Sequence, residues 1–141
     1  IPMSTAMTPI ILDVDPGVDD ALAIMFALNA PELEVLGLSI VSGNVPLDQG
    51  VENALRLLHF LDHSQVHVFA GAELPLVREP VRAHQVHGSN GLGAASLPPA
   101  DQDANGDDVA FIIDTLDWSF AVLTQRVATV GGGCRFYREA V

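Results

Sequence analysis

Apolar and polar positions follow two alternating rhythms through the first half of this chain. Residues 10–14 (IILDV) form a short, β-branched apolar run ending in acid, the pattern of a buried strand. Pro16 and Gly17 then signal a turn, and Asp19 or Asp20 is expected to N-cap a helix over residues 21–29. That helix is apolar around most of its circumference and is stopped by Pro31. Residues 34–42 (EVLGLSIVS) read as a second buried strand, broken by Gly43 and Asn44. Helical periodicity returns over residues 47–61, with Leu47, Val51, Ala54, Leu55, Leu58 and Leu61 on one side, and residues 66–70 read as a third short strand.

Strand, helix, strand, helix, strand with short connections predicts parallel strands joined by right-handed crossovers. The expected fold class is α/β: a Rossmann-like open, mostly parallel sheet with flanking helices. Ligands of such sheets bind beyond the carboxyl ends of the strands. Asp15 follows the first strand and Asn44 the second, so two polar residues are expected at adjacent strand ends. Taken alone, Asn44 after Gly43 also reads as a turn residue that tolerates a left-handed backbone.

The rest of the chain is less regular. Residues 71–102 carry Pro75, Pro80, Pro98, Pro99 and several glycines, and read as a long functional loop or a poorly ordered segment. A further helix is expected over 107–116 and a further strand over 120–130, before the glycine run 131–133 and a frayed end. Residues 1–9 read as a leader and 10–141 as a single α/β domain.

Composition narrows the function classes. At 141 residues, 49% apolar and a mean hydropathy of +0.34, the chain can bury a core. No apolar stretch reaches the roughly 18 residues of a membrane span, so no membrane partner and a cytoplasmic location are expected. The net charge of −12 argues against a nucleic-acid polymer as partner, which would need clustered Lys and Arg. The single cysteine, Cys134, excludes an internal disulfide framework and a Cys-based zinc site.

Charge also supplies the candidate chemistry. Asp13, Asp15, Asp19 and Asp20 are packed into DVDPGVDD, while the nearest basic residue in sequence is Arg56 and the chain has no lysine. Four carboxylates this close repel one another unless a cation sits among them, and hard divalent ions with oxygen ligands fit such clusters. On a strand Asp13 and Asp15 would point the same way, while the helix start would help hold Asp19 and Asp20. A carboxylate not committed to the cation could take a proton from water and generate a nucleophile near neutral pH. The plainer alternative makes two of the four a helix cap and a solvated turn residue.

Other polar residues carry less. His84 and His87, three apart, read by themselves as a surface pair rather than zinc ligands, and His59, His63 and His67 as structural or solvated. Arg78 and Arg82 read as surface charges or contacts to the acidic patch. Gly88, Gly91 and Gly93 suggest a mobile loop without a phosphate-binding fingerprint.

DVDPGVDDA (residues 13–21) resembles the N-terminal signature of the nucleoside hydrolases of the inosine–uridine-preferring type. SGNVPLDQGVENALRLL (42–58), VFAGAELPLVR (68–78) and VHGSNGLG (86–93) are similar to later family segments in the same order. The resemblance covers about residues 10–95, and residues 117–141 depart from it. It implies a truncated nucleoside hydrolase fold, cleavage of the N-glycosidic bond of a ribonucleoside substrate, purine or pyrimidine salvage, a bound Ca²⁺ and a homo-oligomer (dimer or tetramer). Asp15 and Asp20 would be metal ligands, with Asp15 also the base acting on water. Asp19 would bind a ribose hydroxyl, Asn44 would contact the ribose and the ligand carboxylates, and Asp13 would support them from behind. His87 would lie near the base or its loop.

Family sites are completed by later segments, including a Gly-Pro-Leu-Thr-Asn run absent from this sequence, so impaired activity of the 141-residue chain is expected. Two other readings stand beside the hydrolase: a non-catalytic nucleoside- or ribose-binding remnant, and a Mg²⁺-dependent phosphohydrolase of the haloacid-dehalogenase type. The latter also places D-x-D after its first strand, but needs a later lysine.

Overall fold

The computed structural model describes residues 7–75, 77 and 79–104. The elements run β1 (Thr8–Val14), α1 (Val18–Asn29), β2 (Leu33–Ile40), α2 (Leu47–Phe60), β3 (His67–Ala70) and a single helical turn, α3 (His84–His87). The three strands form one parallel sheet in the order β1-β2-β3, so α1 and α2 are crossovers between neighbouring strands. Along one row of the sheet Leu12, Leu38 and Val68 stand in register.

Alternation along the strands builds the core. Val14, Leu38, Ile40 and Val68 are buried in one cluster with Ala21 and Ile24 of α1 and Ala54, Leu55, Leu57 and Leu58 of α2. Full burial of a Leu or Ile side chain contributes about 1.5–3 kcal/mol, so this shared cluster is what fixes both helices to the sheet. α1 is apolar nearly all round, and its outer side leaves Leu22 and Phe26 exposed.

Element boundaries differ from expectation where local cues compete. β1 starts at Thr8, because the N–H of Thr8 donates to Glu32 O at 2.7 Å; Thr8 and Pro9 therefore belong to the sheet rather than to a leader. Its other end, Val14, is the expected one, so Asp15 lies past the strand and strand alternation does not relate it to Asp13. α1 begins three residues before the expected start, at Val18. Its N-cap is Gly17 in extended conformation, which puts Asp19 and Asp20 in the first turn rather than at the cap. Within the expected loop, residues 84–87 form α3. The helix and strand expected over 107–116 and 120–130 lie outside the described residues.

Candidate active site

Asp15 sits immediately beyond the carboxyl end of β1 and is 4% exposed. The Pro16–Gly17 turn reverses the chain into α1, and the reversal returns Asp20 to it: the backbone N–H of Asp15 donates to Asp20 Oδ2 at 3.0 Å. The acidic signature thus closes on itself.

Bringing these groups together costs electrostatic energy. The carboxyl of Asp20 is pushed up from 3.8 to about 7, first by burial, then by the charges of Asp15 and Asp19, against the pull of the Asp15 N–H. A carboxylate that holds its proton near neutrality marks a place short of positive charge.

Asn44 reaches the same point from the end of β2. Its backbone N–H donates to Asp15 Oδ2 at 2.8 Å and its Nδ2 to Asp15 O at 3.1 Å. Among the described residues only Asp62 and Ala94 are non-glycine positions with positive φ, so Asn44 is not held there by a left-handed turn. The two strand ends, at which the sequence expected two polar residues, are joined through this pair. Gly43 beside it is required by space: a Cβ there would overlap the carboxylate of Asp15.

His87 departs from the surface-pair expectation. It is 8% exposed, and its Nδ1 accepts from the backbone N–H of Val18 at 3.1 Å, whereas His84 is exposed. It caps α1 from a distant segment, filling a role that the side-chain-less Gly17 leaves open. Asp19 Oδ1 lies 3.6 Å from the same ring nitrogen. An Nδ1 that accepts from Val18 carries no proton, so in that tautomer the approach is not an ion pair. The Asp19 side chain is 76% exposed and projects outward.

Asp13, half-buried within β1 and in register with Ser39, stands one residue inside the strand end. Of the candidate residues, the structure joins Asp15, Asp20 and Asn44 by hydrogen bonds, with His87 at the start of the helix that carries Asp20.

Two supporting residues have no sequence motif. Asn53 on α2 is buried, and its Nδ2 donates to Pro16 O at 3.3 Å and to Asn90 O at 2.8 Å. Its only signal is a polar residue at i+3 from Gly50, on the helix side facing the Pro16 turn. Arg82 donates to Ser42 Oγ and to backbone carbonyls, where a contact to the acidic patch was one expectation.

The donor set fits a hard cation in kind: two carboxylates meet beyond the strand end, one buried and the other raised in pKa by burial and by its acidic neighbours. It does not complete a cage, since no group of three or more His, Cys, Asp or Glu among the described residues could hold a metal ion. Among the described residues no helix is long and apolar enough to cross a membrane.

The model of the family described as inosine-uridine preferring nucleoside hydrolase matches residues 10–130. An uncharacterized protein of Schizosaccharomyces pombe is 45% identical over 108 residues, covering 76% of this chain and 35% of that protein. The pyrimidine-specific ribonucleoside hydrolase RihA of Salmonella arizonae is 48% identical over 90 residues, covering 64% of this chain and 29% of the enzyme. A solved structure, the purine-preferring ribonucleoside hydrolase from Gardnerella vaginalis, aligns with a TM-score of 0.70 and 38% identity, over 77% of this chain and 36% of that one. The chain thus spans about a third of the length of these relatives.

Proposed function

The chain belongs to the inosine-uridine preferring nucleoside hydrolase family, and from that premise we propose that it carries the amino-terminal part of a site that hydrolyses the N-glycosidic bond of ribonucleosides. The products are ribose and free base. The observation that carries the reading is the contact of Asp15 and Asp20 across the Pro16–Gly17 turn, secured by Asn44 from the next strand end.

Asp15 and Asp20 would hold Ca²⁺, which when bound supplies a hard positive centre for oxygen ligands. The side chains themselves define the remaining chemistry. Asp15 is the general base: its buried carboxylate, steadied through Oδ2 by Asn44, accepts the proton of the attacking water. Cleavage builds positive charge on the sugar, and a pocket of fixed carboxylates is preorganised for that charge. Asp19, exposed in the first turn of α1, would receive a ribose hydroxyl. His87 holds the start of that turn. Attack by water is direct, so no covalent sugar–carboxylate intermediate forms.

A second reading, a nucleoside- or ribose-binding remnant without turnover, is favoured by one observation: the described residues contain no trio of candidate metal ligands. Family membership removes the support for a haloacid-dehalogenase-type phosphohydrolase.

Incubating the 141-residue chain with inosine and uridine, with Ca²⁺ and with a chelator, separates these readings. The hydrolase reading expects Ca²⁺-dependent release of ribose and free base. Binding of nucleoside without any release supports the remnant, and neither binding nor release removes both.

A further inference from the structure

We infer that Arg82 is a positioning residue of this site, acting on Asp15 through the loop that carries Asn44. The inference rests on the proposed function for its relevance to Ca²⁺, and on hydrogen bonding alone for its geometry.

The loop between β2 and α2 is a tight reversal in which Gly43 N donates to Val45 O at 3.2 Å. A single guanidinium nitrogen, Nη1 of Arg82, reaches three oxygens of that loop: Ser42 Oγ at 2.6 Å, Val45 O at 3.0 Å and Gly43 O at 3.3 Å. The next residue completes the set, since the N–H of Ala83 donates to Asn44 O at 3.1 Å. The carbonyls of residues 43, 44 and 45 are therefore all held by the pair Arg82–Ala83. The Gly43 carbonyl belongs to the same planar peptide as the Asn44 N–H, so holding it, with the carbonyls of 44 and 45, keeps that N–H directed at Asp15.

The chemistry favours arginine here. Guanidinium is planar, permanently charged and weakly hydrated, so it serves converging carbonyls at modest desolvation cost. Hydrogen bonds from a charged donor are also stronger than neutral ones. The same segment runs on into α3, whose His87 holds the N–H of Val18. Residues 82–87 thus brace both sides of the acidic turn, and Arg82 secures the side that bears on the proposed base.

The test compares Arg82→Ala and Arg82→Lys with the unaltered chain by amide hydrogen exchange and by calorimetric titration with Ca²⁺ alone. In Arg82→Ala, protection of the Asn44 amide is expected to fall by roughly tenfold or more, while the core amide of Leu58 keeps its protection. Millimolar methylguanidinium should restore the Asn44 amide, and methylammonium should not. Arg82→Lys, which keeps the charge but carries it on a shorter, more strongly hydrated ammonium, should retain the fold and lose part of the Asn44 protection. Ca²⁺ affinity should weaken in the same order. Unchanged Asn44 protection in both variants, or equal loss at Asn44 and Leu58 in both, overturns the inference. An unaltered chain that binds no Ca²⁺ while the exchange pattern holds removes the metal reading and leaves the positioning role standing.

Discussion

The backbone N–H of Asp15 points at the carboxylate of Asp20, 3.0 Å away, although the two side chains carry like charges and repel. Burial and that repulsion together outweigh the hydrogen bond and push the Asp20 carboxyl up to about 7. The folded chain therefore binds a proton that the unfolded chain gives up near pH 4. Stability from this group is full below that pH and is lost as the pH rises through about 7.

In chelator, the metal-free chain is accordingly expected to lose stability between about pH 4 and about pH 7, its unfolding constant rising by roughly tenfold or more from this group. Urea unfolding of the unaltered chain and of Asp20→Asn isolates the effect from the general acidity of the protein. Parallel pH profiles for the two chains would count against it. Where Ca²⁺ binds, it must displace this proton, so affinity is expected to rise over the same interval.

Asp15 sets the second prediction. Asp15→Asn keeps the shape and an acceptor for the Asn44 N–H but removes the base and one ligand charge. Any hydrolysis by the chain is expected to drop by roughly 100- to 10,000-fold, the range for loss of a general base. Ca²⁺ affinity is expected to fall with it. Calorimetry showing unaltered Ca²⁺ binding in this variant would remove Asp15 from the metal role.

Gly43 gives a steric test that leaves every carboxylate in the sequence. The methyl group of Gly43→Ala would overlap the Asp15 side chain, so either Asp15 or the loop must move. The expected outcome is weakened Ca²⁺ binding with core stability largely retained, because Gly43 is outside the buried cluster. Isothermal titration together with a thermal melt checks both halves.

The sheet and the first two crossover helices were legible because their cues are local. β-branched runs at residues 10–14 and 34–42 are bounded by Pro, Gly and acid, and the apolar side of 47–61 is continuous. The Asp15–Asp20 pairing was legible in part, since a Pro–Gly turn between carboxylates folds one pair towards the other. The start of α1 was not, because its cap is His87, 69 residues away from Val18 in the chain. The same-face relation of Asp13 and Asp15 holds only if both lie on the strand, and β1 ends at Val14, as the pattern of residues 10–14 expects, with Asp15 beyond it. The contacts of Arg82 and Asn53 go largely to backbone carbonyls, which leave no pattern in a sequence.

His87 provides a prediction about stability rather than chemistry. His87→Ala leaves the N–H of Val18 without its acceptor and is expected to cost about 1–2 kcal/mol. His87→Gln, which offers a side-chain oxygen, should recover part of it. Urea midpoints of the two variants decide the matter: equal losses would mean that ring packing, not the cap, is what His87 supplies.

Asn53 joins two segments far apart in the sequence, the Pro16 turn and the loop at Asn90. Both partners are carbonyls, so the position needs a donor, and Gln49 Nε2 in turn donates to Asn53 Oδ1 at 3.0 Å. Asn53→Leu keeps the branching of the side chain but strands two acceptors, an expected cost of about 1–3 kcal/mol. Asn53→Asp should be worse near neutral pH despite its closer shape. It faces the same carbonyls with no donor at all, and it adds a negative charge behind the turn that already crowds Asp15 and Asp20. Lowering the pH should narrow the gap between the two variants, because the introduced carboxyl regains one donor once it is protonated. Equilibrium unfolding of both at about pH 5 and about pH 7.5, on either side of the range in which a buried carboxyl titrates, checks this. Asn53→Asp as stable as Asn53→Leu at the higher pH would show that the charge is screened and that only the missing hydrogen bonds count.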